Sequence, residues 1–172
     1  MRIDLFQPTI EGEARLLLLI ETFSRGNKIL EGRTKLAKLD FFLRYPSYLR
    51  HALELRGIRL EQRLEISGVE DLETRMVRYR YGPWDPAYFA ILGRLIGKGL
   101  ITSAPIERGI GYKATNKGRE IANSLRSEPV WQEPTIKLEL LRKHMNLAGT
   151  TLKKFIYDHF PEVTKAEWGE SL

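Results

Sequence analysis

The stretch Met76 to Gly118, MVRYRYGPWDPAYFAILGRLIGKGLITSAPIERGIGYKATNKG, constrains the fold of this chain more than any other. Val77, Tyr79 and Tyr81 alternate with Met76, Arg78 and Arg80, the period of a half-buried strand. Gly82-Pro83 ends that strand, because proline fixes φ and has no N–H to give to a ladder. Asp85 offers a carboxylate to the free N–H groups of a helix start. Pro86 follows at the first helical position, where its missing N–H costs nothing. Tyr88, Leu92, Leu95 and Ile96 then recur at helical spacing until Gly99 stops the helix. Leu100 to Thr102 leaves as a short strand, Pro105 to Gly111 is a turn-rich loop, and Tyr112 to Thr115 returns. Asn116 caps a last helix, Lys117 to Leu125.

Strand, helix, hairpin and helix in this order form the second half of a winged helix-turn-helix. The expected fold class is mainly α with a small antiparallel β-wing (α+β), the wing at about 100–115, with additional N- and C-terminal helices. Two parts are expected: residues 1–126, the helical N-terminal part plus the winged helix, and residues 127–172, a C-terminal helical extension. Thr9 caps a helix through Ser24, with Glu11 and Glu13 in the first turn, at the positive end of the helix dipole. Ile10, Ala14 and Leu17 make one apolar stripe of it, and Leu16, Ile20 and Phe23 make another. A helix apolar on two sides belongs between layers or at a subunit interface. Thr34 caps the next helix, Lys35 to Arg44, which turns Leu36, Leu39, Phe42 and Leu43 inward and leaves Lys35, Lys38 and Arg44 outside. Pro46 ends it, and Ser47 caps a third helix, Tyr48 to Arg56. Residues 60–75 are the acidic section and carry no functional assignment. After a connector with Trp131 between Pro129 and Pro134, Ile136 to Leu147 and Leu152 to Phe160 form a helical pair. Its apolar stripes suit the domain's own core or a partner equally. Trp168 stands isolated among charges in the tail.

Composition narrows the function. Hydrophobic content of 42% with 29% charged residues is that of a globular chain. No cysteine is present, which removes disulfides and thiolate metal sites and fits a reducing cytosol. The longest aliphatic run, Leu16 to Ile20, is far short of the ~20 apolar residues of a membrane span. A cytoplasmic protein without membrane contact is expected. The net charge of +6 falls entirely between Arg25 and Arg63, which favours an anionic partner such as nucleic acid.

No catalytic constellation is visible. His51, His144 and His159 have no paired-ligand spacing, and no serine lies in a nucleophile elbow. Gly93 to Gly99 superficially imitates a phosphate loop but has the wrong spacing and lies within a helix. The expectation is a non-enzyme with no cofactor, no metal and no small-molecule substrate. The helix that would read bases, PAYFAILGRLIGK, carries Tyr88 and Phe89 in its N-terminal half, and its two cations, Arg94 and Lys98, stand late. Contacts to DNA, if made, are therefore expected with phosphates alone. The candidates are Arg33, Lys35, Lys38, Arg44, Arg78, Arg80, Arg94, Lys98, Arg108 and Lys113. Tyr88, Phe89, Trp131 and Trp168 are the candidates for a protein interface.

Two stretches carry a family resemblance: Arg33-Thr-Lys-Leu-Ala-Lys-Leu-Asp-Phe-Phe-Leu-Arg-Tyr-Pro46, and Tyr79-Arg-Tyr-Gly-Pro-Trp-Asp85 running on to Gly99-Leu-Ile101 and Tyr112 to Gly118. Together, over roughly residues 10–126, the chain resembles the middle component of ABC-three-component systems, of which Lamassu-type anti-phage defence is the best known. It is also similar to the kleisin-interacting winged-helix subunits of SMC complexes. The resemblance implies a winged-helix accessory subunit that joins an SMC/Rad50-like ATPase to an effector, often a nuclease. It transfers no functional residue. Alternatives from other classes stay open: a stand-alone winged-helix transcription regulator, or an antitoxin-like neutralising partner.

Overall fold

The extended Thr9 sets the start of the first helix: its hydroxyl accepts from the Gly12 N–H at 2.9 Å, and α1 (Ile10–Phe23) follows. The computed structural model describes residues 7–59, 61, 76–79, 82–165 and 169–172, and of Arg78, Tyr79 and Thr164 the backbone alone. After α1 come α2 (Gly32–Arg44), α3 (Pro46–Leu55), β1 (Val77–Tyr79), β2 (Gly82–Trp84), α4 (Tyr88–Gly97), β3 (Ile101–Ile106) and β4 (Gly109–Ala114). The chain continues through α5 (Asn116–Ser127), a 3-10 turn (Pro129–Trp131), α6 (Gln132–His144), α7 (Gly149–His159) and α8 (Pro161–Lys165). The molecule is thus mostly helical with two small antiparallel hairpins, β1–β2 and β3–β4.

Everything is built around α1 and α2. Leu16 to Ile20 are each at most 1% exposed, on every side of the helix, because α4, α5, α6, α2 and β4 surround α1. The two-sided apolar pattern is therefore core. The helix α2 is enclosed as thoroughly, by α1, α3, α6, α7, β2 and β4. The stripes of α6 and α7 face this same core: Leu138, Leu141, Met145, Leu152 and Ile156 are all buried in it with Leu36, Leu39 and Phe42.

The β3–β4 hairpin pairs Ile101 with Ala114 through Ile106 with Gly109, so Glu107 and Arg108 form its tip. Its strands are longer than the sequence reading gave them, and Pro105 and Gly111 lie inside the ladder rather than in a loop. Leu30 bridges the other edge of β4, exchanging hydrogen bonds with Tyr112 at 2.9 and 3.0 Å. Gly99 takes φ +71°, and the Leu100 N–H reaches back to the Leu95 carbonyl at 2.9 Å, which closes α4 with a left-handed C-cap.

Four local expectations need correction. Gly82-Pro83 does not stop the strand: Arg78 pairs with Pro83 and the chain folds back as a hairpin, which an edge position permits a proline. Pro46 begins α3 rather than closing α2, since the first helical position needs no N–H. Thr34 lies within α2, not at its cap, and Thr115 rather than Asn116 caps α5, its hydroxyl accepting from the Gly118 N–H at 3.0 Å. The acidic section 60–75 lies outside the described residues apart from Glu61.

Candidate interaction surface

Three of the four cations of α2 do not face solvent; the fourth, Arg33, is half-buried. Lys35 is 5%, Lys38 1% and Arg44 8% exposed. One open face on this helix is expected from its periodicity, but α2 is enclosed by six neighbouring elements, and Lys35 and Arg44 find their partners inside the protein. Lys35 Nζ donates to Glu31 Oε2 at 2.7 Å and to Asn146 Oδ1 at 2.8 Å. Lys38 ends against Gly82, where its Cε and Nζ would stand 3.3 Å from an added Cβ. Burial, and then the charge of Lys153, bring its pKa down to about 7. None of the three can reach a phosphate.

Arg44 belongs to a buried network centred on Asp40, which is fully buried. Asp40 Oδ1 accepts from Arg15 Nε at 2.8 Å, and Oδ2 accepts from the Tyr88 hydroxyl at 2.7 Å and faces Arg44 Nη1 at 3.5 Å. Arg44 Nη1 also donates to Asp85 Oδ2 at 2.6 Å, while Asp85 Oδ1 accepts from the Ala87 N–H at 2.8 Å. Burial alone would lower the Arg44 pKa, but the charge of Asp40, with that of Asp85, outweighs it and raises it. Tyr88 is raised by burial first and then by the Asp40 carboxylate. Tyr88 is therefore an anchor for the start of α4, not an interface residue. The polar hydroxyl on a large ring is satisfied inside the protein.

That anchor fixes which side of α4 looks out. Tyr88, Ile91, Leu92 and Leu95 are buried, leaving Phe89, Ala90, Gly93, Arg94, Ile96, Gly97 and Lys98 exposed. Phe89 is 59% and Ile96 42% exposed. Around Gly93 and Gly97 there is open space where a Cβ would sit, so internal packing does not require either glycine. A glycine in a helix interior is less favourable than alanine by ~1 kcal/mol. The Arg33 guanidinium lies 4.4 Å over the Phe89 ring, and Trp84 stands edge-on to Tyr88 at 5.1 Å and 6.1 Å from Phe89. The result is a shallow apolar face bordered by an aromatic pair and an arginine.

The remaining sequence candidates are scattered. Lys98 Nζ pairs with Glu13 Oε1 at 2.6 Å and Arg94 Nη1 lies 3.7 Å from Glu13 Oε2, so both tie α4 to α1 while staying half exposed. Arg108 is exposed at the hairpin tip. Lys113 is spent on structure: its ammonium donates to the carbonyls of Ser24, Gly26 and Lys28 at 2.8, 2.5 and 2.9 Å. Trp131 is half-buried in the turn before α6. The side chains of Arg78 and Arg80, and all of Trp168, lie outside the described residues. Lys28, Arg142 and Lys143, which the sequence reading did not single out as contacts, are exposed together beside Glu139 and Asn146. The basic last turn of α6, Arg142-Lys143-His144, was the signal for two of them.

Among the described residues, no three His, Asp or Glu side chains converge in a way that could hold a metal ion, and no helix is long and apolar enough to cross a membrane. No family model, curated protein or solved structure matches the chain.

Proposed function

We propose that the chain is a winged-helix adaptor subunit that holds a protein partner on the outer face of α4. Support for the fold is the order of elements: α1, the bridging residue Leu30, α2, α4, the β3–β4 hairpin and α5. A winged helix-turn-helix has this order, here with residues 45–87 inserted before its third helix. The observation that carries the function is the composition of that third helix's solvent face. Phe89 and Ile96 flank two glycines there, where a base-reading helix would carry polar donors and acceptors.

The partner is inferred from the sequence resemblance: an SMC/Rad50-like ATPase of a bacterial anti-phage system. This chain would link it to an effector nuclease without catalysing a reaction itself. Exposed apolar residues on a rigid helix suit such a contact, because an aromatic anchor in a desolvated pocket carries much of the energy of an interface. The glycines would let a partner backbone approach closely.

Co-purification of the tagged chain with the products of its adjacent genes tests this. The expected result is a stable complex containing a coiled-coil ATPase, lost or weakened by about 30-fold or more in Phe89→Glu/Ile96→Glu, as for removal of a ~2 kcal/mol anchor. A lone homodimer that selects one DNA sequence would favour a second reading, a winged-helix regulator, for which the exposed Arg94, Lys98 and Arg108 speak.

A further inference from the structure

The exposed positive charge that Lys35, Lys38 and Arg44 do not supply is gathered at the far end of α1. Lys28, from the loop after α1, and Arg142 and Lys143, from the last turn of α6, line a cleft of about 380 Å³ with Glu139 and Asn146. Glu139 offsets them only in part, because its carboxylate is shared with Arg25 Nη1 at 2.8 Å. Arg142 lies 3.8 Å from Glu139, and among the described residues no carboxylate pairs with Lys28 or Lys143. Together with burial, Lys143 and Arg56 lower the pKa of His144, whose Nε2 is buried with no hydrogen-bond partner among the described residues.

The cleft is braced from inside. The three carbonyls that Lys113 gathers are those of the loop carrying Lys28, so this cation is presented from a fixed backbone. Lys35 sets the orientation of Asn146: an ammonium can only donate, so the amide oxygen faces Lys35 at 2.8 Å and the NH₂ is turned away from it. Basic residues at a helix C-terminus complement the helix dipole, which by itself accounts for Arg142 and Lys143. It does not account for Lys28, which comes from another element, or for the fixed amide.

We propose that this cleft binds phosphate groups of a nucleic-acid duplex backbone, independently of sequence. Phosphate is the anion it suits, since three cations from two elements line one opening against the single, shared carboxylate of Glu139. Among the described residues, no aromatic side chain lines the cleft to stack an unpaired base, which single-strand sites use. The site also lies apart from the α4 face. Lys98 of α4 meets Glu13 in the first turn of α1, whereas Glu139 meets Arg25 just beyond its last turn. DNA and a protein partner can therefore be held together. The proposal rests on reading the chain as a winged-helix subunit, but not on which protein covers α4.

Fluorescence anisotropy of the full chain with a short labelled duplex of arbitrary sequence tests it. Three neutralised phosphates give a log–log salt slope of about −2.7, hence a ~40-fold loss of affinity between about 50 and about 200 mM salt. Lys28→Gln/Arg142→Gln/Lys143→Gln should bind at least tenfold more weakly at low salt and lose most of that slope, with a thermal melt that stays cooperative and falls by no more than a few degrees, as for the loss of helix-dipole charges. Arg94→Gln/Lys98→Gln should retain both. Overturning results are unchanged affinity in the first variant, loss confined to the second, no binding at low salt, or equal displacement by a polyglutamate peptide of the same charge, which would make the cleft a site for acidic protein. Capture of the ATPase by the cleft variant is read separately. Failure of the wild-type chain to capture it sinks the adaptor reading and leaves the binding result standing.

Discussion

Replacing Asp40 by asparagine removes one negative charge and almost no volume, and its effect can be worked from the contacts. The carboxylate serves Arg15 on one oxygen and Tyr88 with Arg44 on the other, all within a site where Asp40 has no exposed surface. An amide offers one oxygen and one NH₂. If the oxygen is kept for Arg15, the NH₂ can donate to the Tyr88 oxygen, but it then faces Arg44. The hydrogen bonds are partly rescued and the charge is not. The carboxylate that Arg15 and Arg44 share is gone, while Arg44 keeps its contact with Asp85. Removing one partner of a buried pair costs about 3–5 kcal/mol, and for a chain of this size each kcal/mol lowers Tm by roughly 2–4 °C.

Urea denaturation followed by circular dichroism at pH 7 should therefore find Asp40→Asn destabilised by about 3–5 kcal/mol, with Tm down by ~10 °C. The double variant Arg15→Met/Asp40→Leu should recover a large part of the sum of its single variants, because no unpaired charge remains between α1 and α2. A loss below about 1 kcal/mol for Asp40→Asn would mean that water reaches the network, and strictly additive double-variant losses would mean that Arg15 and Asp40 are not coupled.

Two further outcomes follow from single positions. Lys38 has its pKa brought down from 10.5 to about 7, so between those values the unfolded chain holds a proton that the folded chain does not. Its contribution to stability then rises with pH by up to about 1.4 kcal/mol per unit, and below pH 7 the full penalty of burying the charge applies. The stability difference between Lys38→Met and the native chain should shrink by that slope as pH rises above 7, and parallel curves would refute the buried charge. In Gly118→Ala the new Cβ would collide with the Leu100 carbonyl oxygen, backbone that already accepts from the Thr115 N–H. Thermal melts should show a loss of about 1–3 kcal/mol or more, and a neutral alanine would mean that the hairpin and α5 can part freely.

The elements were largely legible because their punctuation is local. Thr9, Gly57 and Gly99 act on the backbone within a few residues, and each sits at a helix boundary. The apolar run of α1 announced burial because five successive aliphatic residues leave no side of a helix for water. Pairing was less legible. That Gly82-Pro83 turns back onto Val77 to Tyr79 is decided by the hairpin as a whole, and proline signals only that something is interrupted. The contribution of Leu30 to the edge of β4 joins residues far apart in sequence and leaves no local trace.

The site was misjudged for a reason that also says where the charge should act. Helical periodicity sorts residues by side but does not say how many sides are covered. Lys35, Lys38 and Arg44 lie off the apolar stripe of α2, and an isolated helix would send them to solvent. Enclosure by six neighbouring elements makes that choice impossible, so carboxylates and amides from Glu31, Asp85 and Asn146 come to Lys35 and Arg44 instead. A positive segment can thus attract no polyanion when its charges are spent inside. The formal +6 of residues 25–63 overstates what an anion meets there, and the field that reaches solvent depends on cations left unmatched at the ends of elements. Lys28, Lys143 and Arg142, the last sharing Glu139 with Arg25, come nearest to such a set, drawn from segments more than a hundred residues apart. A long-range electrostatic contact on this chain is therefore to be sought at the end of α1, and a short-range apolar one on α4. Separate variants of the two faces should lose separate partners.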